Sequence, residues 1–292
     1  MIRKGIIMNS SENEKKYLEL QKKIALWEKQ GRYKDILPVV DEYVSLAEQL
    51  YGSCSMEHGV ALNDQAGTFR SVGKAEDALI SFAQALYIME RLKGHESTEY
   101  VTVLNNMAGA CRMCGQYERA VVHFREALKL YERLVGKEHF LYQSALNNLG
   151  LVYQDLKEYE KAVRIHARCC NLMEEQGKTD RTAYATTLLN LSNALRGSGR
   201  YQEAESGIRR ALRIYTENLG EEHSLCGYAL NTLAVCCTEQ GRIREALEIF
   251  YKASEVIGNT YGKESKNYRI VQRHIALLEK QLHDTEGMQY AG

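Results

Sequence analysis

A period of 42 residues runs through this chain. Turn-like triplets recur as Gly31-Arg32-Tyr33, Gly73-Lys74-Ala75, Gly115-Gln116-Tyr117, Lys157-Glu158-Tyr159, Gly199-Arg200-Tyr201 and Gly241-Arg242-Ile243, each 42 residues after the last. A second marker keeps the same spacing at Gly52, Gly94, Gly136, Lys178, Gly220 and Gly262. Between the two markers, apolar residues fall at i, i+3, i+4 and i+7, the spacing of an amphipathic helix. Glycine suits both junctions, because a helix ends most readily on a left-handed residue without a Cβ. Each period is therefore a helical hairpin, helix A followed by helix B, and thirteen helices are expected once a terminal one is added. One hairpin cannot bury its apolar face alone, so neighbours must stack. A single proline, Pro38, in 292 residues leaves the helices free to follow one another.

The boundaries follow from the markers. Repeats are expected at about 13–52, 53–94, 95–136, 137–178, 179–220 and 221–262. A capping helix at 265–283 carries Tyr268, Val271, Ile275 and Leu278 in helical spacing. Residues 13–283 form one solenoid in this reading, with disordered ends at 1–12 and 284–292.

Composition removes several function classes. Lys and Arg total 38 and Asp and Glu total 38, so there is no cationic surplus of the kind that phosphate neutralisation needs, and no nucleic-acid or membrane-surface partner is expected. The apolar run in Met1–Met8 is too short for a signal peptide, and no stretch reaches the length of a membrane span. A cytoplasmic protein with reduced thiols is expected. Phosphate-loop, dinucleotide, zinc-protease and serine-hydrolase motifs are missing, so neither an enzyme nor a cofactor is expected.

Cys111-x-x-Cys114 and the Cys169-Cys170 and Cys236-Cys237 pairs could suggest a metal or redox site. Cys111 and Cys237, however, fill the slot of Trp27, Phe69, Tyr153 and Leu195, and Cys169 that of Ala85, Ala127, Ala211 and Ala253, so the thiols read as small core residues and no metal is expected. His139 and His223 share a phase at the start of helix A, and His166 occupies a core slot.

The fourth period holds Leu146-x-x-Leu149-Gly150-x-x-Tyr153 and Tyr159-x-x-Ala162, and an Ala-x-x-x-Phe pair recurs as Ala78 to Phe82, Ala120 to Phe124 and Ala246 to Phe250. These residues resemble the tetratricopeptide repeat signature. The 42-residue length and the cores Leu104-Asn105-Asn106-Met107-Ala108 and Leu146-Asn147-Asn148-Leu149-Gly150 are similar to the longer repeats of kinesin light chains. The resemblance covers residues 13 to 262. It departs at Ile36 in the alanine slot, at His166 and Ile208 in the phenylalanine slot, and in lacking the usual proline near the end of helix B and any motor-joining coiled coil. It implies an all-α fold, a right-handed superhelical solenoid of six hairpins plus the capping helix, in which helix A lines a concave groove.

Two polar rows lie in that groove by the resemblance. Asn63, Asn105, Asn147 and Asn231 share one position and Asp64, Asn106, Asn148 and Asn190 the next, although asparagine is a poor helix former. Seven residues beyond the first row, on the same stripe, stand Arg70, Arg112, Gln154, Arg196 and Thr238. Thr102, Ser144, Thr186, Tyr228 and Asn193 complete the floor. Two readings stay open together. The asparagines bridge neighbouring A helices as a ladder, or they offer paired donors and acceptors to a peptide backbone while Arg70, Arg112 and Arg196 select acidic groups. Tyr100, Tyr142, Tyr184 and Tyr268 are expected to pack their rings on the preceding helix B and keep their hydroxyls near solvent. The function expected is a non-catalytic scaffold, monomer or homodimer, that binds an extended or helical segment of another protein, with acidic segments favoured. The alternatives are a peptide-responsive sensor and a self-assembling module.

Overall fold

The computed structural model describes the backbone of residues 2–290 and the side chains of residues 11–284. It is 82% helical, and no strand occurs among the described residues. The expected disordered ends at 1–12 and 284–292 fall largely outside the residues described with side chains.

The helices are α1 (Ile2–Lys29), α2 (Tyr33–Ile36), α3 (Val40–Tyr51), α4 (Met56–Ser71), α5 (Ala75–Lys93), α6 (Thr98–Met113), α7 (Tyr117–Leu134), α8 (Phe140–Asp155), α9 (Tyr159–Glu175), α10 (Thr182–Gly197), α11 (Tyr201–Leu219), α12 (Ser224–Glu239), α13 (Ile243–Tyr261) and α14 (Lys266–Tyr290). Every A-to-B turn falls where the period puts it. Thirteen helices were expected and fourteen are found among the described residues, because Pro38 divides helix B of the first repeat into α2 and α3. Proline has no N–H to donate and its ring clashes with the carbonyl four residues back, so the helix breaks there.

Two compact units divide the chain, Met1–Val152 and Tyr153–Gly292. From the second repeat on, helix B supplies a small-large-small triplet to the core; in the first repeat the same places hold Ile36, Val40 and Tyr43. Ala78, Phe82 and Ala85, then Ala120, Phe124 and Ala127, are fully buried in the first unit. Ala162, His166 and Cys169, then Ala204, Ile208 and Ala211, then Ala246, Phe250 and Ala253, take the same places in the second. The alanines let the facing A helix approach closely, and the large residue fills the gap between hairpins.

The A helices are capped at one slot of the period. Ser55 Oγ accepts from the His58 N–H, Ser97 Oγ from Tyr100 and Ser265 Oγ from Tyr268. In the same slot His139 Nδ1 accepts from Leu141 N–H and His223 Nδ1 from Leu225 N–H, so these two histidines are helix caps.

The turns show what the two lysines at glycine positions do. Gly31, Gly73, Gly115, Gly199 and Gly241 have φ between 68° and 87°, and Lys157 is held at 59°. A Cβ makes that region costly, so Lys157→Gly is expected to raise stability by about 0.5–1 kcal/mol, read as a higher urea midpoint. At the other junction the left-handed residue of the fourth repeat is Gly177, φ 64°, one place before Lys178, and α9 ends correspondingly early.

Candidate functional site

In the first unit the helix-A face is formed by α4, α6 and the first part of α8. Asn63, Asn105, Asn106, Asn147 and Asn148 are all half-buried on it. Asn106 Nδ2 donates to Asn63 Oδ1 at 3.1 Å across α4 and α6, which is one rung of the expected ladder. Asn105 behaves differently. Its Oδ1 is buried and has no hydrogen-bond partner in the protein.

Arg70 extends from α4 over the next helix. Its Nη1 donates to the backbone carbonyl of Asn106 at 3.3 Å, its guanidinium lies 6.0 Å from the Phe82 ring centre, and a Cβ on Gly109 would come within 2.9 Å of it. Burial lowers its pKa, with the neighbouring Arg112 charge acting in the same direction. The cation therefore sits desolvated against a neutral carbonyl. On the same helix, burial and the nearby Glu28 charge push the Asp64 carboxyl up to about 7, and burial also raises Glu28.

In the second unit the face is formed by the end of α8 with α10, α12 and α14. Asn190, Asn193 and Asn231 are half-buried there, and Asn231 Oδ1, like Asn105 Oδ1, is buried without a protein partner. Gln154 stands in the arginine row and makes the same tie as Arg70, its Nε2 donating to the Asn190 carbonyl at 3.0 Å. The same amide is 2.8 Å from His166 Nε2. His166 is fully buried, its pKa is lowered by desolvation to about 4, and its Nδ1 has no partner. Arg196, expected to wait for an acidic ligand, is already ion-paired with Glu239 at 2.5 Å.

Two of the floor threonines are also engaged. Tyr131 Oη donates to Thr102 Oγ1 at 3.1 Å in the first unit, and Tyr215 Oη to Thr186 Oγ1 at 2.9 Å in the second. Each bond joins the B helix to the A helix of its own hairpin. The tyrosines at the start of helix A are more deeply placed than expected: Tyr100, Tyr142 and Tyr184 are buried, and Tyr184 Oη donates to Glu174 at the end of α9. Tyr268 packs against Gly258 of α13, where a Cβ would lie 3.1 Å from the ring.

The thiols lie in the core as their slots imply. Cys111, Cys169 and Cys237 are buried, Cys54 is exposed, and burial pushes Cys169 and Cys237 up to about 11. Glu205, Cys237 and Glu245 come together in α11, α12 and α13. Arg209 and Arg242 bridge the two carboxylates, and the thiol is protonated, so this cluster is an ion-pair network.

The residues that sequence reasoning missed are Glu28, which lies beside Asp64, and Ile270 and Tyr261 near Asn231. Ile270 was within reach, since it lies 42 residues after Tyr228, one period past the last counted repeat.

The tetratricopeptide repeat family matches the sequence over residues 57–133, 99–175, 141–217 and 183–257, more than half of its length. The chain belongs to that family. A search of curated proteins returned no significant match. Among solved structures, the kinesin-light-chain-like TPR-like repeats of Podosopora anserina are similar to it at 17% identity, covering 69% of this chain and 95% of that one, with a TM-score of 0.59. BtubC (BKLC) from P. vanneervenii is similar at 22% identity, 71% and 90% coverage and a TM-score of 0.57. A Rap protein complexed with Competence and Sporulation Factor is similar at 16% identity, 94% and 79% coverage and a TM-score of 0.63. These likenesses agree on a tetratricopeptide-type helical solenoid, and no enzymatic family is indicated. The tetratricopeptide fold is a protein-interaction scaffold. No helix among the described residues is long and apolar enough to cross a membrane.

Proposed function

We propose that this tetratricopeptide protein is a non-catalytic scaffold that takes up a peptide segment of a partner protein along its helix-A faces, the faces that line the groove in arrays of this kind. The observation that carries this reading is the pair of orphan acceptors. Asn105 Oδ1 and Asn231 Oδ1 occupy the same position of the period, are buried, and receive no hydrogen bond from the protein. An unpaired buried acceptor costs about 1–3 kcal/mol, and an incoming peptide N–H removes that cost. Asn63 is spent on Asn106, so the asparagine rows divide their work between bridging and binding. The anion-selecting role is assigned to Arg70, because Arg196 is paired with Glu239.

The test selects 12-residue peptides from a random display library on the full chain and measures their affinity by calorimetry. Asn105→Ala is expected to weaken binding about tenfold, the worth of one good hydrogen bond. It is also expected to leave the thermal midpoint unchanged or higher, since it deletes an unsatisfied group and installs a better helix former. Asn106→Ala, which breaks the rung to Asn63, is expected to cost about 1 kcal/mol of stability instead. A lowered midpoint with unaltered affinity in Asn105→Ala would overturn the peptide reading.

A second reading is a factor-responsive sensor. Its support is the similarity in fold to the Rap protein solved with Competence and Sporulation Factor.

A further inference from the structure

The last hairpin lacks a polar tie that two of its siblings make, as does the second repeat, where the same pair is Val60 and Met89. Where the third and fifth repeats place Thr102 under Tyr131 and Thr186 under Tyr215, the sixth places Tyr228 and Ile257. A polar tie inside the hairpin is thereby replaced by two apolar surfaces. A cavity of about 260 Å³ lies between α12, α13 and α14, lined by Tyr228, Asn231, Ile257, Tyr261, Ile270 and Val271 among others. Three of its large walls face water: Tyr228 is 50% exposed, Tyr261 52% and Ile270 39%. Asn231, the residue with the orphan Oδ1, forms part of the lining.

We propose that this cavity is an anchor subsite for one aliphatic or aromatic side chain of a bound peptide, whose main-chain N–H is donated to Asn231 Oδ1. The proposal rests on the peptide-scaffold reading and gives it a specificity. Three features select the occupant. The apolar walls favour a hydrocarbon or ring, by the ordinary benefit of removing such surface from water. The volume admits one large side chain and is below the usual size of a site for a whole small-molecule ligand. The buried acceptor demands a donor near the apolar group, which a lipid tail or a carboxylate lacks and every peptide residue except proline provides. Tyrosine, which supplies two of the walls, is among the residues enriched at binding hot spots.

The probes are capped single residues titrated onto the full chain with labelled isoleucine methyl groups. N-acetyl-leucinamide and N-acetyl-phenylalaninamide are expected to shift the Ile257 and Ile270 methyls to saturation. N-acetyl-alaninamide is expected to bind about tenfold more weakly, having little apolar area to bury. N-acetyl-N-methyl-leucinamide keeps the side chain and the carboxamide but loses the main-chain N–H, and is also expected to be about tenfold weaker. Ile270→Asp and Tyr228→Ala alter partly exposed walls, and each is expected to abolish saturation; a thermal melt checks that the variant is folded. Unmoved methyls, shifts that never saturate, or equal response to the alanine probe would overturn the subsite. The parent reading fails separately. If library-selected peptides depend on Asn105 yet neither displace N-acetyl-leucinamide nor respond to Ile270→Asp, the subsite falls and the scaffold reading stands. If the leucine probe saturates while no selected peptide depends on Asn105 or competes with it, the scaffold reading falls and the cavity stands as a site for an isolated apolar amide.

Discussion

Lowering the pH from 7 to 5 is expected to weaken the packing around α9 by about 2 kcal/mol, through His166. The imidazole is fully buried and its pKa falls to about 4, with burial as the cause. In the unfolded chain the same group titrates near 6.5. A depressed native pKa means that the neutral form is preferred in the fold. The stability is therefore complete above the unfolded value and is lost as pH falls from about 6.5 towards 4. The geometry agrees, since Gln154 Nε2 donates to both the Asn190 carbonyl and His166 Nε2, which leaves the ring as a neutral acceptor on that side. A proton on Nε2 would face that amide donor. His166→Phe installs the residue that Phe82, Phe124 and Phe250 supply at the equivalent position, and it should flatten the pH dependence between 7 and 5 while Gln154 keeps its tie to Asn190. Repeat arrays need not unfold as one unit, so the readout is hydrogen exchange of the α9 amides at pH 7, 6 and 5, with urea melts alongside. Equal pH dependence in wild type and variant would exclude His166 as the cause.

This histidine also shows where sequence reading stops. The period exposed both departures, His166 in the phenylalanine slot and Gln154 in the arginine row, but as separate facts. Their coupling became visible only in the structure. Arg70 lies over Phe82 twelve residues on, and in the fourth repeat the same spacing joins Gln154 to His166, an amide donor matched to a ring acceptor. The A-to-B turns were legible because glycine phase and apolar phase are local properties of the chain. The Pro38 break was equally local, yet the period suggested one continuous B helix there, and sterics prevailed. The division of the asparagines was not legible. Asn63 and Asn105 are the same residue in the same slot, yet Asn106 donates to Asn63 while Asn148, in Asn106's slot on α8, does not donate to Asn105 Oδ1. Nor was Arg196 separable from Arg70 by register. Its partner, Glu239, lies 43 residues away in a repeat where the arginine slot holds Thr238.

Arg70 gives the second large effect, and its two substitutions should behave differently. Arg70→Ala removes the bond to the Asn106 carbonyl, uncovers Phe82 and leaves open space over Gly109. Lost packing by the long stem and the lost bond together are expected to cost about 2–3 kcal/mol. Arg70→Gln should cost less than about 1 kcal/mol, because the native chain already uses glutamine for this tie in Gln154 and because a desolvated cation is removed along with the bond's charge. Urea denaturation of both variants decides the structural half: equal losses would mean that the carbonyl tie carries none of the stability. The functional half follows from the folded Arg70→Gln protein. A guanidinium held against a neutral carbonyl and next to Arg112 gains most from an arriving carboxylate, so its removal should erase the preference for acidic over neutral library peptides and flatten the salt dependence of affinity. Arg196→Gln serves as the control, since its charge is already answered by Glu239, and it should leave that preference intact. If Arg196→Gln alters acidic selectivity as much as Arg70→Gln does, the selection arises from overall charge on the face and not from Arg70.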